Sequence, residues 1–239
     1  MPVHSSLTTI VAAATSYYRF TSQSFLTTNL ANHVNVVDGQ GAKLNPDGGR
    51  YSPPIVETVY LTEDTEACVA EKMFYFHREI VQAIDELHLP KGLLPPFQKK
   101  FVMWEVEFQN AITDVADINL SYSFFGVFPF LVHNPSQDYH HLKDRRVNIQ
   151  ANGYKGLRAP SARSKRNGSM IVLFNDQSKN VKTITPYEME FRLICTNGSP
   201  FINHTTDMLD FSAAGEVRAT GPNIPTGFSS SWKTIYFNR

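Results

Sequence analysis

One segment, residues 65–89, has a helical period long enough to constrain the fold of the whole chain. Its apolar residues recur every three or four positions: Val69, Met73, Phe76, Ile80, Ile84 and Leu87. This spacing places them on one face of an amphipathic helix. Thr65 is a candidate N-cap, and the "LP" pair at 89–90 predicts the end of the helix. The sequence therefore predicts one long helix with a single apolar face.

The segments on both sides of this helix are of β type. The candidate strands are residues 16–26, 33–37, 57–62, 99–108, 169–175 and 187–195. The run "KKFVMWEVEF" at 99–108 shows the clearest period of two. Residues 38–50 are rich in Gly, Asn, Asp and Pro, which predicts a surface loop with several turns. The aromatic segment 118–133 is expected to be largely buried.

Length and composition fit a folded domain with an extension. The 239 residues can bury a sizeable core, and we expect a main domain over 1–195 with a C-terminal extension, 196–239, packed on it. Lys+Arg and Asp+Glu are 22 each, so net charge gives no argument for nucleic acid or an anionic membrane. Two cysteines exclude a disulfide scaffold and a Cys/His zinc spacing, and we expect no metal site.

The N-terminus does not have the pattern of a secretion signal. Its apolar run, residues 10–14, is too short for a signal peptide or a membrane helix, and no basic residues precede it. We therefore expect a cytoplasmic protein without a membrane segment. Effectors that dedicated machines deliver into a target cell also lack a signal peptide, so delivery stays open.

The sequence contains none of the motifs typical of nucleotide-binding loops, dinucleotide-binding folds, zinc proteases or lipases. The candidate catalytic and binding residues are therefore single residues. Arg50 follows two glycines in "GGRY", where it could clamp a phosphate or stabilise its own turn. Arg19, in "YYRF", allows the same two interpretations. Tyr60 ends an apolar strand, a position typical of half-buried core tyrosines.

The other single candidates also have ordinary explanations. Glu71 lies about 200° around the helix from the apolar stripe, on a face with Tyr75 and Arg78, which is typical of a solvated face. Ser161 in "APSAR" suits a turn or an N-cap, and no neighbouring base would make it a nucleophile. The pair His140 and His141 has no further ligand at metal-binding spacing, so a surface position is favoured.

A basic block spans residues 143–166. Eight Lys or Arg residues stand there against one acid: Lys143, Arg145, Arg146, Lys155, Arg158, Arg163, Lys165 and Arg166. Residues 152–163 are interpreted as a turn that leads to Ser161. Most of these charges are expected to be solvated surface, with some at the mouth of an anion site. A non-catalytic nucleic-acid-binding protein would use the same block but is less favoured.

Taken in order, these residues closely resemble the RES-domain family. The segments that carry the resemblance are "YRF", "GGRYSPP", "VYLTEDTEACVAE" and "GLRAPSAR", and the match spans roughly residues 16–195. The family pattern falls on Arg19, Arg50, Tyr60, Glu71 and Ser161. The chain departs from it at Tyr51, where members often have Trp, and in its longer loops.

The resemblance implies both a fold and an activity. The fold is a compact α+β domain like that of ADP-ribosyltransferases, with a mixed or antiparallel β core flanked by helices and a cleft for NAD. The activity is cleavage of the nicotinamide–ribose bond of NAD by water or inorganic phosphate, with no cofactor. Known members are toxins with a cognate antitoxin, so an antitoxin or immunity protein is the expected partner. A homo-oligomer and ADP-ribose transfer to a macromolecule stay open.

The resemblance also implies roles for single residues. Arg19 and Arg50 would bind the two phosphates with charge-assisted hydrogen bonds. Tyr60 would stack on the nicotinamide, with Tyr51 and Tyr18 in the same substrate-binding set. Glu71 would hold the ribose hydroxyls and stabilise an oxocarbenium-like transition state, and Ser161 would hydrogen-bond the nicotinamide amide or the ribose.

Overall fold

A computed structural model describes residues 8–12, 16–23, 33–40, 49–86, 97–118, 140–164, 168–193, 195–196, 199–200 and 212–238. The described strands are β1 (Thr8–Ala12), β2 (Tyr17–Ser22), β3 (Val59–Thr62), β4 (Phe97–Phe108), β5 (Ile112–Asp117), β6 (Gly156–Pro160), β7 (Ser169–Leu173), β8 (Val181–Leu193), β9 (Cys195–Thr196), β10 (Ser199–Pro200), β11 (Ser212–Ala219) and β12 (Lys233–Asn238). The described helices are α1 (Thr65–Glu86) and α2 (His140–Ala151), with 3-10 turns at His33–Val37 and Ser178–Asn180.

Ten of these strands form one sheet in the order β1-β5-β6-β7-β3-β2-β4-β8-β11-β12. Strands β5 and β6 pair in parallel, and the other neighbours in this sheet pair antiparallel. Strands β9 and β10 form a separate two-stranded ladder. The mixed sheet with two helices confirms the α+β class.

Strand β4 lies in the middle of the buried region and has apolar side chains on both faces. Phe101 and Met103 pack with helix α1, while Val102 and Trp104 pack into a cluster on the opposite face. All four are at most 1% exposed. Because both faces of β4 are buried, apolar residues occupy nearly every position of the run "FVMWEV".

The long helix and most strands agree with the sequence pattern. Helix α1 begins at Thr65, and the structure describes it to Glu86; residues 87–89 lie outside the described part. The N-cap is Asp64, whose Oδ1 accepts a 2.6 Å hydrogen bond from the Ala67 N–H, so the cap predicted at Thr65 was wrong by one residue. Five of the candidate strands are confirmed by β2, β3, β4, β7 and β8, with β8 starting six residues earlier than expected and residues 24–26 outside the described part. Of the predicted loop 38–50 and aromatic segment 118–133, residues 41–48 and 119–133 lie outside the described residues.

Two further interpretations of local structure were wrong, and one helix was not predicted. Residues 33–37 form a 3-10 helix and no strand, because the consecutive residues Val36 and Val37 are both buried in one cluster. Residues 152–163, expected to be a turn, contain strand β6. The sequence pattern did not predict helix α2. Its buried positions are Leu142, Arg146 and Ile149, and the arginine among them interrupts the apolar period that would indicate a helix.

The C-terminal residues extend the sheet. Strand β11 pairs with β8, and β12 pairs with β11. Phe237 of β12 also forms an isolated antiparallel bridge with Ser164. The division of the chain at residue 195 stays a prediction. Within the described residues, no helix has the length and hydrophobicity that crossing a membrane requires.

Candidate active site

A cavity of about 360 Å³ lies where strands β2 and β3 diverge. The two strands share one residue pair, Tyr18 with Thr62. Beyond it β2 pairs only with β4 and β3 only with β7, and the residues that line the cavity there are Arg19 and Phe20 on β2 and Leu61 and Tyr60 on β3. Helix α1 forms a further wall through Cys68, Glu71, Lys72 and Tyr75. The volume falls in the range of small-molecule sites.

Glu71 is held in place through both carboxylate oxygens. Ser161 Oγ donates a hydrogen bond of 2.8 Å to Glu71 Oε1, and Arg50 Nη2 lies 3.6 Å from Oε2. The backbone N–H of Ser164 in turn donates to Ser161 Oγ at 3.2 Å. The Glu71 side chain is 14% exposed and lines the cavity. A carboxylate has about four lone-pair sites, so acceptor capacity remains for a ligand.

The "GGRY" turn positions Arg50. Gly49 and Ser52 exchange backbone hydrogen bonds of 2.9 and 3.3 Å, and Tyr60 Oη accepts a bond of 2.9 Å from the Tyr51 N–H. A Cβ at Gly49 would lie 2.7 Å from Tyr60 Oη, so this position needs glycine. The turn is thereby held against β3, and Arg50 reaches both the cavity and Glu71.

The tyrosines of the predicted substrate-binding set lie in different places. Tyr60 and Tyr18 line the cavity. Burial raises the pKa of Tyr60, and burial together with Glu105 raises the pKa of Tyr18 to about 12, so both are neutral phenols at physiological pH. Tyr51 does not line the cavity, because its side chain is fully buried in the cluster beneath it. Its link to the site is the backbone bond to Tyr60.

The remaining predicted residues differ in their access to the cavity. Arg19 lines it, while its Nη1 donates a 2.6 Å hydrogen bond to the Val36 carbonyl oxygen. Desolvation lowers the pKa of Arg19, but an arginine stays cationic in proteins. Ser161 is 7% exposed and lies behind Glu71. The structure therefore places Ser161 as a partner of the carboxylate.

Two arginines of the basic block are buried. Arg146 and Arg163 are 2% and 1% exposed, and their guanidinium groups lie over the rings of Phe174 and Phe74. The expectation of mostly solvated charges is wrong for these two positions, because stacking on aromatic rings allows an arginine to be buried. Arg158 is bound by Glu63 and Asp117.

Sequence reasoning missed two cavity residues on helix α1, Cys68 and Lys72. With Glu71 and Tyr75 they form a stripe at the helical spacing of three and four. The sequence analysis already placed Tyr75 on the face of Glu71. Extending the same spacing one turn toward the N-terminus would have found Cys68, and Lys72 directly follows Glu71.

The Cys68 thiol is expected to be inert and to make stability depend on pH. Burial raises the pKa of Cys68 to about 12 from 9.0, so the folded state keeps the proton when the unfolded thiol ionises. Stability is therefore lost as the pH rises above 9, by on the order of 1 kcal/mol at pH 10. We expect the difference in free energy of unfolding between wild type and Cys68→Ala to change by this amount between pH 8 and 10. An unchanged difference would contradict the assignment.

The sequence model of the RES domain matches residues 29–193. This protein belongs to the RES domain family. The match confirms the resemblance identified from the motifs, and it includes Arg50, Tyr60, Glu71 and Ser161 but neither Arg19 nor strands β11 and β12.

This RES protein is also similar to chains of known structure. A chain from the crystal structure of the M. tuberculosis MbcT–MbcA toxin–antitoxin complex aligns with it at 15% sequence identity and a TM-score of 0.48. The alignment covers 74% of this chain and 86% of the other. A search of curated proteins finds no significant match.

Proposed function

We propose that this RES protein degrades NAD by cleaving the bond between nicotinamide and ribose. The observation that carries the proposal is one carboxylate, Glu71, fixed by Ser161 and Arg50 in the wall of a cavity that also has aromatic sides. Membership of the RES family supports the same activity, because the family resemblance implies NAD as the substrate.

The chemistry of this bond needs few protein groups. When the C1″–N bond breaks, its electron pair goes to the pyridinium nitrogen, and nicotinamide leaves as a neutral molecule. No general acid is therefore needed, in contrast to most glycoside hydrolases, which use two carboxylates. Positive charge develops on the ribose, and a fixed, mostly buried carboxylate such as Glu71 stabilises it. A water or phosphate oxygen then bonds to C1″, and water releases a proton.

The other residues follow from their positions. Tyr60 and Tyr18 offer neutral aromatic rings to the flat nicotinamide cation. Ser161 positions Glu71 through its hydroxyl group. Arg50 balances the charge of Glu71 and offers further donors to the substrate, and Arg19 lines the same cavity.

The proposal includes a biological role that the family resemblance implies. Loss of NAD would inhibit growth, so the protein would act as a toxin or a delivered effector in the cytoplasm. A cognate antitoxin or immunity protein would then be its partner. The suggested homo-oligomer stays a prediction.

The test is to incubate purified protein with NAD, with and without inorganic phosphate, and to follow nicotinamide and the sugar product. We expect nicotinamide release. Free ADP-ribose would indicate hydrolysis, and ADP-ribose 1″-phosphate would indicate phosphorolysis. Labelled ADP-ribose on a macromolecule would instead indicate transfer. Absence of nicotinamide release under all of these conditions would refute the proposal.

A further inference from the structure

The cavity contains a cation that the proposed mechanism does not use. Lys72 follows Glu71 on helix α1 and lines the same cavity. Among the described residues its ammonium group makes no hydrogen bond and no ion pair; its contact is with the face of the Phe101 ring, 4.6 Å from the centroid. An ammonium group taken partly out of water without a counter-ion is unfavourable, and a ring face offsets only part of that cost.

The other two cations of the cavity already have partners. Arg50 lies beside Glu71, and Arg19 donates to the carbonyl oxygen of Val36. Lys72 therefore has three N–H donors that a ligand can use. Desolvation lowers the pKa of Lys72, although the charge of Glu79 on the same helix acts in the opposite direction.

We propose that Lys72 forms an anion subsite of the cavity that binds a phosphate group. A lysine ammonium binds phosphate as a compact point charge. Two sources present this chemistry: the diphosphate of NAD, or a free phosphate that attacks the ribose. The identity of the ligand rests on the proposed function, whereas the subsite rests on the position of Lys72 and its lack of a partner.

Lys99 provides a matched control for Lys72. Its ammonium group lies over the same Phe101 ring, at 5.5 Å. It differs in being 45% exposed, in pairing with Glu79 at 2.6 Å, and in lying outside the cavity lining. Substituting either lysine by Met removes one cation from the same ring, so a difference between the variants reports on the cavity.

The experiment measures the binding of ADP-ribose, pyrophosphate and inorganic phosphate by calorimetry. We expect Lys72→Met to weaken binding of at least one probe about tenfold or more, the loss expected for a charged hydrogen bond. Lys99→Met should bind like wild type, and Lys72→Arg should retain most of the affinity because it keeps the charge. If Lys72→Met is unfolded by circular dichroism, Lys72→Gln takes its place.

The probe whose binding is weakened identifies the source of the phosphate group. Weaker binding of ADP-ribose and pyrophosphate, with a higher KM for NAD, supports the diphosphate. Weaker binding of inorganic phosphate alone, with a higher KM for phosphate, supports the free anion.

Unchanged affinity of Lys72→Met for all three probes, or no binding of any probe by wild type, overturns the inference even if NAD is cleaved. Binding that depends on Lys72 in a protein that releases no nicotinamide supports the subsite and refutes the proposed function.

Discussion

The Glu71→Gln variant is expected to lose NAD cleavage by about 10²–10³-fold or more, the usual effect of removing one electrostatic contact to a transition state. Glutamine keeps the volume of the side chain and can still accept the hydrogen bond from Ser161, so it removes the negative charge with little change of shape. The rate of nicotinamide release, measured at saturating NAD, tests the expectation.

Stability has to be measured together with activity, because Arg50 loses its charged partner in this variant. The Arg50 side chain is 6% exposed, and leaving a buried charge unpaired lowers the free energy of unfolding. Glu71→Asp keeps the charge but moves the carboxylate back by one methylene group. If a folded Glu71→Gln variant turns over NAD at the wild-type rate, Glu71 has no role in the chemistry.

Glu79→Gln is the matched control on the same helix. Glu79 is 51% exposed and pairs with Lys99 at the surface, outside the cavity lining. Surface pairs contribute little to stability. We therefore expect this variant to keep both the wild-type rate and the wild-type stability. This result would show that the effect of Glu71→Gln depends on the position of Glu71 and does not follow from removing any negative charge from helix α1.

The sequence predicted those elements whose pattern is local. Helix α1 was predicted because its buried positions are apolar at every turn, and β4 because its residues alternate along the run. Helix α2 was missed because Arg146 occupies a buried position, where stacking on Phe174 replaces the expected apolar contact. A helix cannot be recognised from its apolar period when one of its buried positions is occupied by a charged residue that is stabilised by tertiary contacts.

The site was predictable as a set of residues but not as a geometry. The motif order gave Arg50, Tyr60, Glu71 and Ser161, yet Ser161 and Glu71 are 90 positions apart, and their hydrogen bond depends on the whole sheet. The sequence analysis found no group that could act with Ser161, because that group comes from another element. The resemblance assigned Tyr51 to the substrate-binding set, but its ring is buried in a core cluster.

The second large effect concerns the C-terminal strand. Phe237→Ala is expected to lower the free energy of unfolding by about 3–5 kcal/mol, the usual cost of removing a buried aromatic ring. Phe237 is fully buried in the cluster that includes helix α1, and its ring packs against His77. Tyr236→Ala is the control, because Tyr236 is adjacent on the strand but 53% exposed.

Two tryptophans report on the two parts of the chain during unfolding. Trp104 is buried in β4, and Trp232 lies before β12, with its ring in contact with the guanidinium groups of Arg192 and Arg218. In Trp232→Phe and Trp104→Phe backgrounds, urea unfolding followed by fluorescence reports on each part alone. We expect one shared transition in each background, shifted to lower urea by Phe237→Ala.

A shared transition follows from the contacts that join the C-terminal strand to the site. Strand β12 bridges to Ser164, whose N–H binds the Ser161 hydroxyl group that holds Glu71. Lys233 also pairs with Glu66 in the first turn of helix α1, at 2.7 Å. Loss of β12 should therefore disturb the Glu71 carboxylate as well as the core. Separate transitions, with NAD cleavage retained after the Trp232 signal has changed, would contradict this expectation.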